Sequence, residues 1–121
     1  MKFRMLAALA CVAVLAACAF ENKYESEADK ITKAVIANDL TPVKNDLSPQ
    51  LAISRVQVAS ASDELSAQGK LESVKEVTPC PKGAGYHCFD LKFEKHMYNE
   101  WLSMDDTGKV TSWHFHMAPQ Q

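Results

Sequence analysis

The sequence is short of the features that usually announce a function. Its 121 residues hold 4 glycines, 2 tryptophans and a net charge of −2. No Lys/Arg-rich block is present, and this argues against nucleic acid, whose binding needs a basic footprint. There is no low-complexity tract and no repeat of solenoid length, so the chain reads as one packed domain. G-x-S-x-G, Walker A, H-E-x-x-H and the dinucleotide fingerprint are all missing, and with them the commonest routes to a named enzyme class. The longest charge-free run, residues 5–20, falls short of the roughly 20 apolar residues a spanning helix needs.

What is present at the start is an address. Lys2 and Arg4 precede the charge-free run, as the n-region and h-region of a secretory signal do. The run closes on Leu15-Ala16-Ala17-Cys18. This motif resembles the lipobox of bacterial lipoproteins: leucine, two small residues, then the cysteine that is lipidated. The resemblance implies cleavage before Cys18, acylation of its thiol and new amino group, and attachment to a membrane of the cell envelope. Two or more acyl chains anchor stably where one is marginal. Residue 19 is Ala, not Asp, so the resemblance carries no inner-membrane retention signal and implies the periplasmic face of an outer membrane where one exists. Ala17-Cys18-Ala19 also fits an ordinary A-x-A site, and a cut there would release a soluble secreted protein. The expected organisation is a signal peptide over 1–17, the lipidated cysteine and a tether over 18–25, one domain over 26–117 and a tail over 118–121.

The cysteines then close in pairs. Cys11 leaves with the signal and Cys18 takes lipid, so Cys80 and Cys88 remain, in an oxidising compartment. Between them stand Pro81, Gly83 and Gly85, turn-forming residues that let two sulfurs meet at the base of a loop. A disulfide on a β-hairpin is expected. Seven intervening residues fit neither a zinc knuckle nor a thioredoxin-type motif, the metal and redox alternatives.

Periodicity divides the remainder. Ser26 with Asp29 looks like a capping pair, and Ala28, Ile31, Ala34 and Val35 recur at helical spacing, predicting a helix over 26–39. Thr41-Pro42 predicts a single turn, and Ser48-Pro49 a longer helix carrying Leu51, Val58 and Leu65 and ending at Gly69, with Ser60-Ala61-Ser62 a candidate break. Strands are expected over 71–77, 86–94, 97–104 and 109–117, the third and fourth joined by an Asp105-Asp106-Thr107-Gly108 turn. Those acids have no distal Glu or alternate-position partners, so they read as a turn rather than calcium ligands. The fold class is α+β: N-terminal helices packed on a curved four-stranded antiparallel sheet.

Helices ending in Gly69-Lys70-Leu71 and strands closing on Asp106-Thr107-Gly108-Lys109-Val110, behind a lipidated cysteine, resemble small bacterial lipoproteins of the nuclear transport factor 2-like superfamily. The resemblance implies a cystatin-like cone, a bent sheet wrapped round a helix with a pocket between. The superfamily holds ketosteroid isomerases and dehydratases beside many non-catalytic binding and dimerisation modules.

The candidate site residues follow. Tyr98, Trp101 and Trp113, with Met97 and Met104, concentrate in the last two strands and read either as core or as a binding face. His114 and His116 form an H-x-H on one strand face that could grip a metal if His87 or His96 supplied a third ligand; the bland reading is two solvated histidines. Asp90 and Tyr98 invite comparison with the base and the tyrosine of isomerases, although Asp90 falls on the polar phase of its strand. The expected function is a membrane-anchored, non-catalytic module for a small apolar ligand or a protein partner, a homodimer included, without cofactor or nucleic acid. The alternatives are an isomerase- or hydratase-type enzyme with a small apolar substrate, and metal capture at His114 and His116.

Overall fold

The computed structural model describes residues 22–51 and 53–120, so the signal peptide and Cys18 lie outside the described residues. Helix α1 is Lys23–Ile36 and α2 is Arg55–Ser66, with a 3₁₀ turn, Thr41–Val43, between them. The strands are β1 (Leu71–Val77), β2 (His87–Phe93), β3 (Met97–Met104) and β4 (Val110–Met117), and they form one antiparallel sheet in the order β1-β2-β3-β4. Among the described residues no helix is long and apolar enough to cross a membrane.

Helix α1 starts before the expected Ser26. Asn22 caps it, its side-chain oxygen accepting from Glu25 N–H at 2.8 Å. Residues 23–25, expected in the tether, therefore belong to the domain. The helix ends at a left-handed residue, Asn38 at φ 55°. Asn38 N–H donates to Val35 O and Asp39 N–H to Ala34 O, which satisfies two of the last carbonyls. Ala28, Ile31 and Val35 form the fully buried stripe that faces the sheet.

Ser48-Pro49 does not open a helix. Ser48 N–H donates to Val110 O, and Val110 N–H donates to Asp46 O, both at 2.8 Å, so this stretch is committed to the start of β4. Helix α2 begins later, where a capping box offers more. Gln57 N–H donates to Ser54 Oγ at 3.1 Å, and Ser54 N–H to Gln57 Oε1 at 3.0 Å. Ser60-Ala61-Ser62 does not break it. Ser62 Oγ reaches across to donate to Ile36 O at 2.7 Å, tying α2 to the end of α1. Gly69 follows at φ 83°, and a Cβ there would stand 3.0 Å from the Glu94 side chain, so only glycine fits.

The strands match the expected spans to within one residue at each end. Leu91 faces Val74 on one side and Tyr98 on the other; Phe89 faces Glu76 and Glu100. Tyr98, Glu100 and Leu102 in turn face Met117, Phe115 and Trp113. These residues share the face that packs on the helices, and Phe89, Leu91, Tyr98 and Leu102 are fully buried there with Ile31, Val35 and Leu65. Burying each such side chain stabilises the fold by about 1.5–3 kcal/mol. The β3–β4 turn is held by Asp105, whose Oδ1 accepts from the N–H groups of Thr107 and Lys109. Cys80 and Cys88 are joined as expected, with Cα atoms 5.1 Å apart.

Candidate functional site

Two outer strands bound the sheet, and their free edges differ. Glu76 N–H, pointing away from β2, donates to Glu25 Oε2 of α1 at 2.9 Å. Along β4, among the described residues, such a cover is seen at Val110, from residues 46–48. Beyond it a groove of about 630 Å³ runs between β4 and α2. Trp113 and Phe115 make one wall and Val56 and Ala61 the other, while Leu51 and Ile53 close one end. Gln57, Glu64 and His114 stand at its rim, with Trp101, stacked on His114, at its outer border. Val56 is 78% exposed, an apolar side chain that the fold leaves in water beside this opening.

Behind the wall lies a carboxyl group that the sequence reading did not select. Glu100 is 1% exposed. Its Oε2 sits 2.6 Å from Thr32 Oγ1, which also lies 2.7 Å from Ala28 O. Thr32 has one hydroxyl hydrogen, and the carbonyl can only accept. Both short contacts are satisfied when Glu100 carries a proton and donates it to Thr32. Burial pushes Glu100 up to about 8; the Thr32 hydroxyl and Trp113 indole oppose this, and the Asp29 carboxylate adds to it. Among the described residues, the Glu100 Oε1, Trp113 Nε1 and Tyr98 hydroxyl atoms are buried without a hydrogen-bond partner. Burial, and then the Glu64 carboxylate, push Tyr98 up to about 12. The signal for Glu100 was available: it occupies the apolar phase of β3, between Tyr98 and Leu102.

A second acidic pair lies on the far side of α1. Burial and the neighbouring Asp46 push Glu27 up to about 7, while Lys30, 2.7 Å from Asp46, holds Asp46 below the usual carboxylate range.

The three aromatic candidates do not form one face. Tyr98 is fully buried in the core. Trp113 lies on the helix side and lines the groove, 5.1 Å from Phe115 between ring centroids. Trp101 is on the opposite side of the sheet, where Lys82 Nζ stands 4.2 Å over its ring and the His114 and His116 rings approach to 5.3 and 5.2 Å. Asp90 pairs with Asn99 on that outer side, while Tyr98 pairs with Leu91 on the inner, so Asp90 and Tyr98 cannot act on one substrate.

Neither expected third metal ligand reaches His114 and His116. The His87 ring stacks on Tyr24 at 3.9 Å and its Nδ1 lies 3.1 Å from Glu76 Oε2. His96 Nδ1 lies 2.6 Å from Gln68 Oε1. Among the described residues no group of three or more His, Cys, Asp or Glu side chains is placed to hold a metal ion. No protein-family profile, curated protein or solved structure matches this chain.

Proposed function

We propose that this protein is a lipid-anchored module of the bacterial cell envelope whose domain binds a small apolar ligand, without catalysis, in the groove between α2 and β4. The observation that carries the reading is the groove itself. Its volume of about 630 Å³ lies within the span of small-molecule sites, and apolar side chains from α1, α2 and β4, with Leu51 and Ile53, converge on it. Gln57, Glu64 and His114 at the rim suit a ligand with an apolar body and one polar end. The lipobox-like Leu15-Ala16-Ala17-Cys18 and the Cys80–Cys88 disulfide support the envelope address.

The catalytic alternative is the weaker one. The carboxyl group with the strongest perturbation, Glu100, is sealed behind Trp113 and borders no part of the groove. Membership of the nuclear transport factor 2-like superfamily, with its cystatin-like cone, remains part of the proposal. What supports it is chain order, helices first and then a four-stranded antiparallel meander, with the groove opening between the two layers.

The test is titration of the purified full chain with an apolar fluorescent probe, 1-N-phenylnaphthylamine, beside a native mass spectrum for co-purified ligand. Saturable binding that falls at least about tenfold in Val56→Glu, the cost of roughly one well-buried apolar contact, supports the groove. Binding that ignores Val56→Glu and Trp113→Leu alike overturns it.

A further inference from the structure

The way α1 begins fixes which part of the domain meets the membrane. Only four residue steps separate Cys18 from Asn22, so a lipid on Cys18 lies within about 14 Å of the α1 N-terminus, even along a fully extended chain. That N-terminus is tied to one corner of the sheet. Asn22 Nδ2 donates to Glu76 Oε1 at 2.9 Å, and Tyr24 stacks on His87. Glu76 is the penultimate residue of β1 and His87 the first of β2. The loop joining those strands, residues 78–86, therefore leaves the sheet beside the point where the anchor arrives.

The composition of that corner suits a headgroup layer. From 77 to 87 the chain has no acidic residue and one lysine, Lys82. Lys82 is exposed, and Tyr86 is 37% exposed. Lys23, also exposed, places its ammonium 5.1 Å over the Tyr24 ring. Glu76, the last acid before the loop, is occupied by Asn22 and His87, and Asp90 lines a hollow with Pro81 and Lys82 on the outer face. Cationic tips on apolar stems beside tyrosine rings are what a bilayer interface accommodates, and each lysine is drawn to anionic lipid. The Cys80–Cys88 bridge pins the base of the loop to β2, so the corner is presented as a fixed surface. Asp105 and Asp106 project from the same end of the sheet but from the β3–β4 turn, two strands or roughly 10 Å away.

We propose that the corner formed by the 78–86 loop and the start of α1 rests on the anionic bilayer surface that the lipid anchor enters. The proposal rests on the lipoprotein reading above, and its test separates the two. The full chain is produced in a bacterial envelope, its mass is measured, and it is reconstituted into phosphatidylglycerol-containing vesicles with or without brominated acyl chains. Tyr86→Trp adds a reporter at an exposed position to the native Trp101 and Trp113. The added emission should be largely lost in brominated vesicles, beyond whatever loss the parent shows from Trp101, whose ring lies under Lys82, and Lys82→Glu in the same background should restore much of it. Without any substitution, Lys82 of the parent should be several-fold slower to react with an acylating reagent on vesicles than in detergent. An acylated chain that shows neither the quenching nor the Lys82 protection overturns the proposal alone. A chain whose mass carries no acyl groups overturns the anchor and the proposal together.

Discussion

The β1 side and the β4 side of the domain are built to opposite standards. On the β1 side polar groups meet partners: Glu25 takes the outward N–H of Glu76, Asn22 and His87 take its carboxylate, and a disulfide closes the adjoining loop. On the β4 side an apolar groove stays open, Val56 stands in water, and Glu100, Trp113 and Tyr98 each hold a buried polar atom without a partner among the described residues. Such costs persist in a fold when something other than stability selects them. The proposed reading accounts for this contrast by giving the two sides different work, one to fix the domain in place and the other to receive a ligand.

The largest effect should come from the buried acid on the open side. An acid whose folded pKa is raised binds its proton more tightly folded than unfolded. Glu100, raised from 4.5 to about 8, therefore withdraws stability as pH climbs between those two values. Below about 4.5 it withdraws nothing, and above about 8 the loss is complete. Across that window the loss is roughly 3–5 kcal/mol on the usual conversion of pKa into free energy. Glu27, raised to about 7, acts in the same direction, so the parent must be compared with a variant rather than with itself. Glu100→Gln keeps a donor for Thr32 and a neutral side chain of the same size behind Trp113. It should raise the urea midpoint at pH 8 and leave it little changed at pH 4.5. Equal midpoints for parent and variant across the whole window would remove Glu100 from the account of the open side.

The closed side is expected to yield less, and differently. Cys80→Ser with Cys88→Ser should cost about 2–3 kcal/mol, the chain-entropy contribution of so small a loop. The loss should appear in unfolding free energy at every pH, and probe binding in the groove should survive it. A double variant that folds as stably as the parent, or that loses the groove as well, would show that the two sides are not separate.

The same contrast explains what could be read from the chain. Strands were legible because alternation is a property of consecutive residues: Phe89, Leu91 and Phe93 against Asp90 and Lys92 need no knowledge of anything distant. The cysteine pair was legible for the same reason. Helix starts were less so. Ser26 and Ser48 each satisfy a local capping rule, but Asn22 is the cap α1 uses, and Ser48 gives its N–H to Val110, 62 positions away. No local rule registers such a partner. The site was legible in kind but not in arrangement. Tyr98, Trp101 and Trp113 do cluster in the last two strands, yet the phase of each strand puts Trp101 behind the sheet and Trp113 in front. Reading that phase through Leu102 and Tyr98 would also have marked Glu100 as an acid on the apolar face.

Trp101 and Trp113 therefore make an informative pair, since both border the groove but stand on opposite faces of the sheet. Trp113→Leu should weaken the apolar probe several-fold, because it removes a wall of the groove; Trp101→Leu, at the groove's outer border, should weaken it less. Trp113 also covers Glu100, so its variant should be the less stable of the two, and the probe must be titrated at a pH near 5, where Glu100 is neutral and needs no cover.

The smallest stability change should come from the most exposed apolar residue of the open side. Val56 is 78% exposed on the first turn of α2, so replacing it removes almost no burial. An acid near a helix N-terminus is moreover favoured by the helix dipole, by about 0.3–1 kcal/mol. Val56→Glu should thus leave the urea midpoint unchanged or slightly raised while it lowers affinity for the apolar probe. That separation of stability from binding is what distinguishes a side chain kept for a ligand from one kept for the fold. If Val56→Glu instead destabilises the domain and spares binding, Val56 belongs to the packing of α2, and the groove is a seam between layers rather than a site.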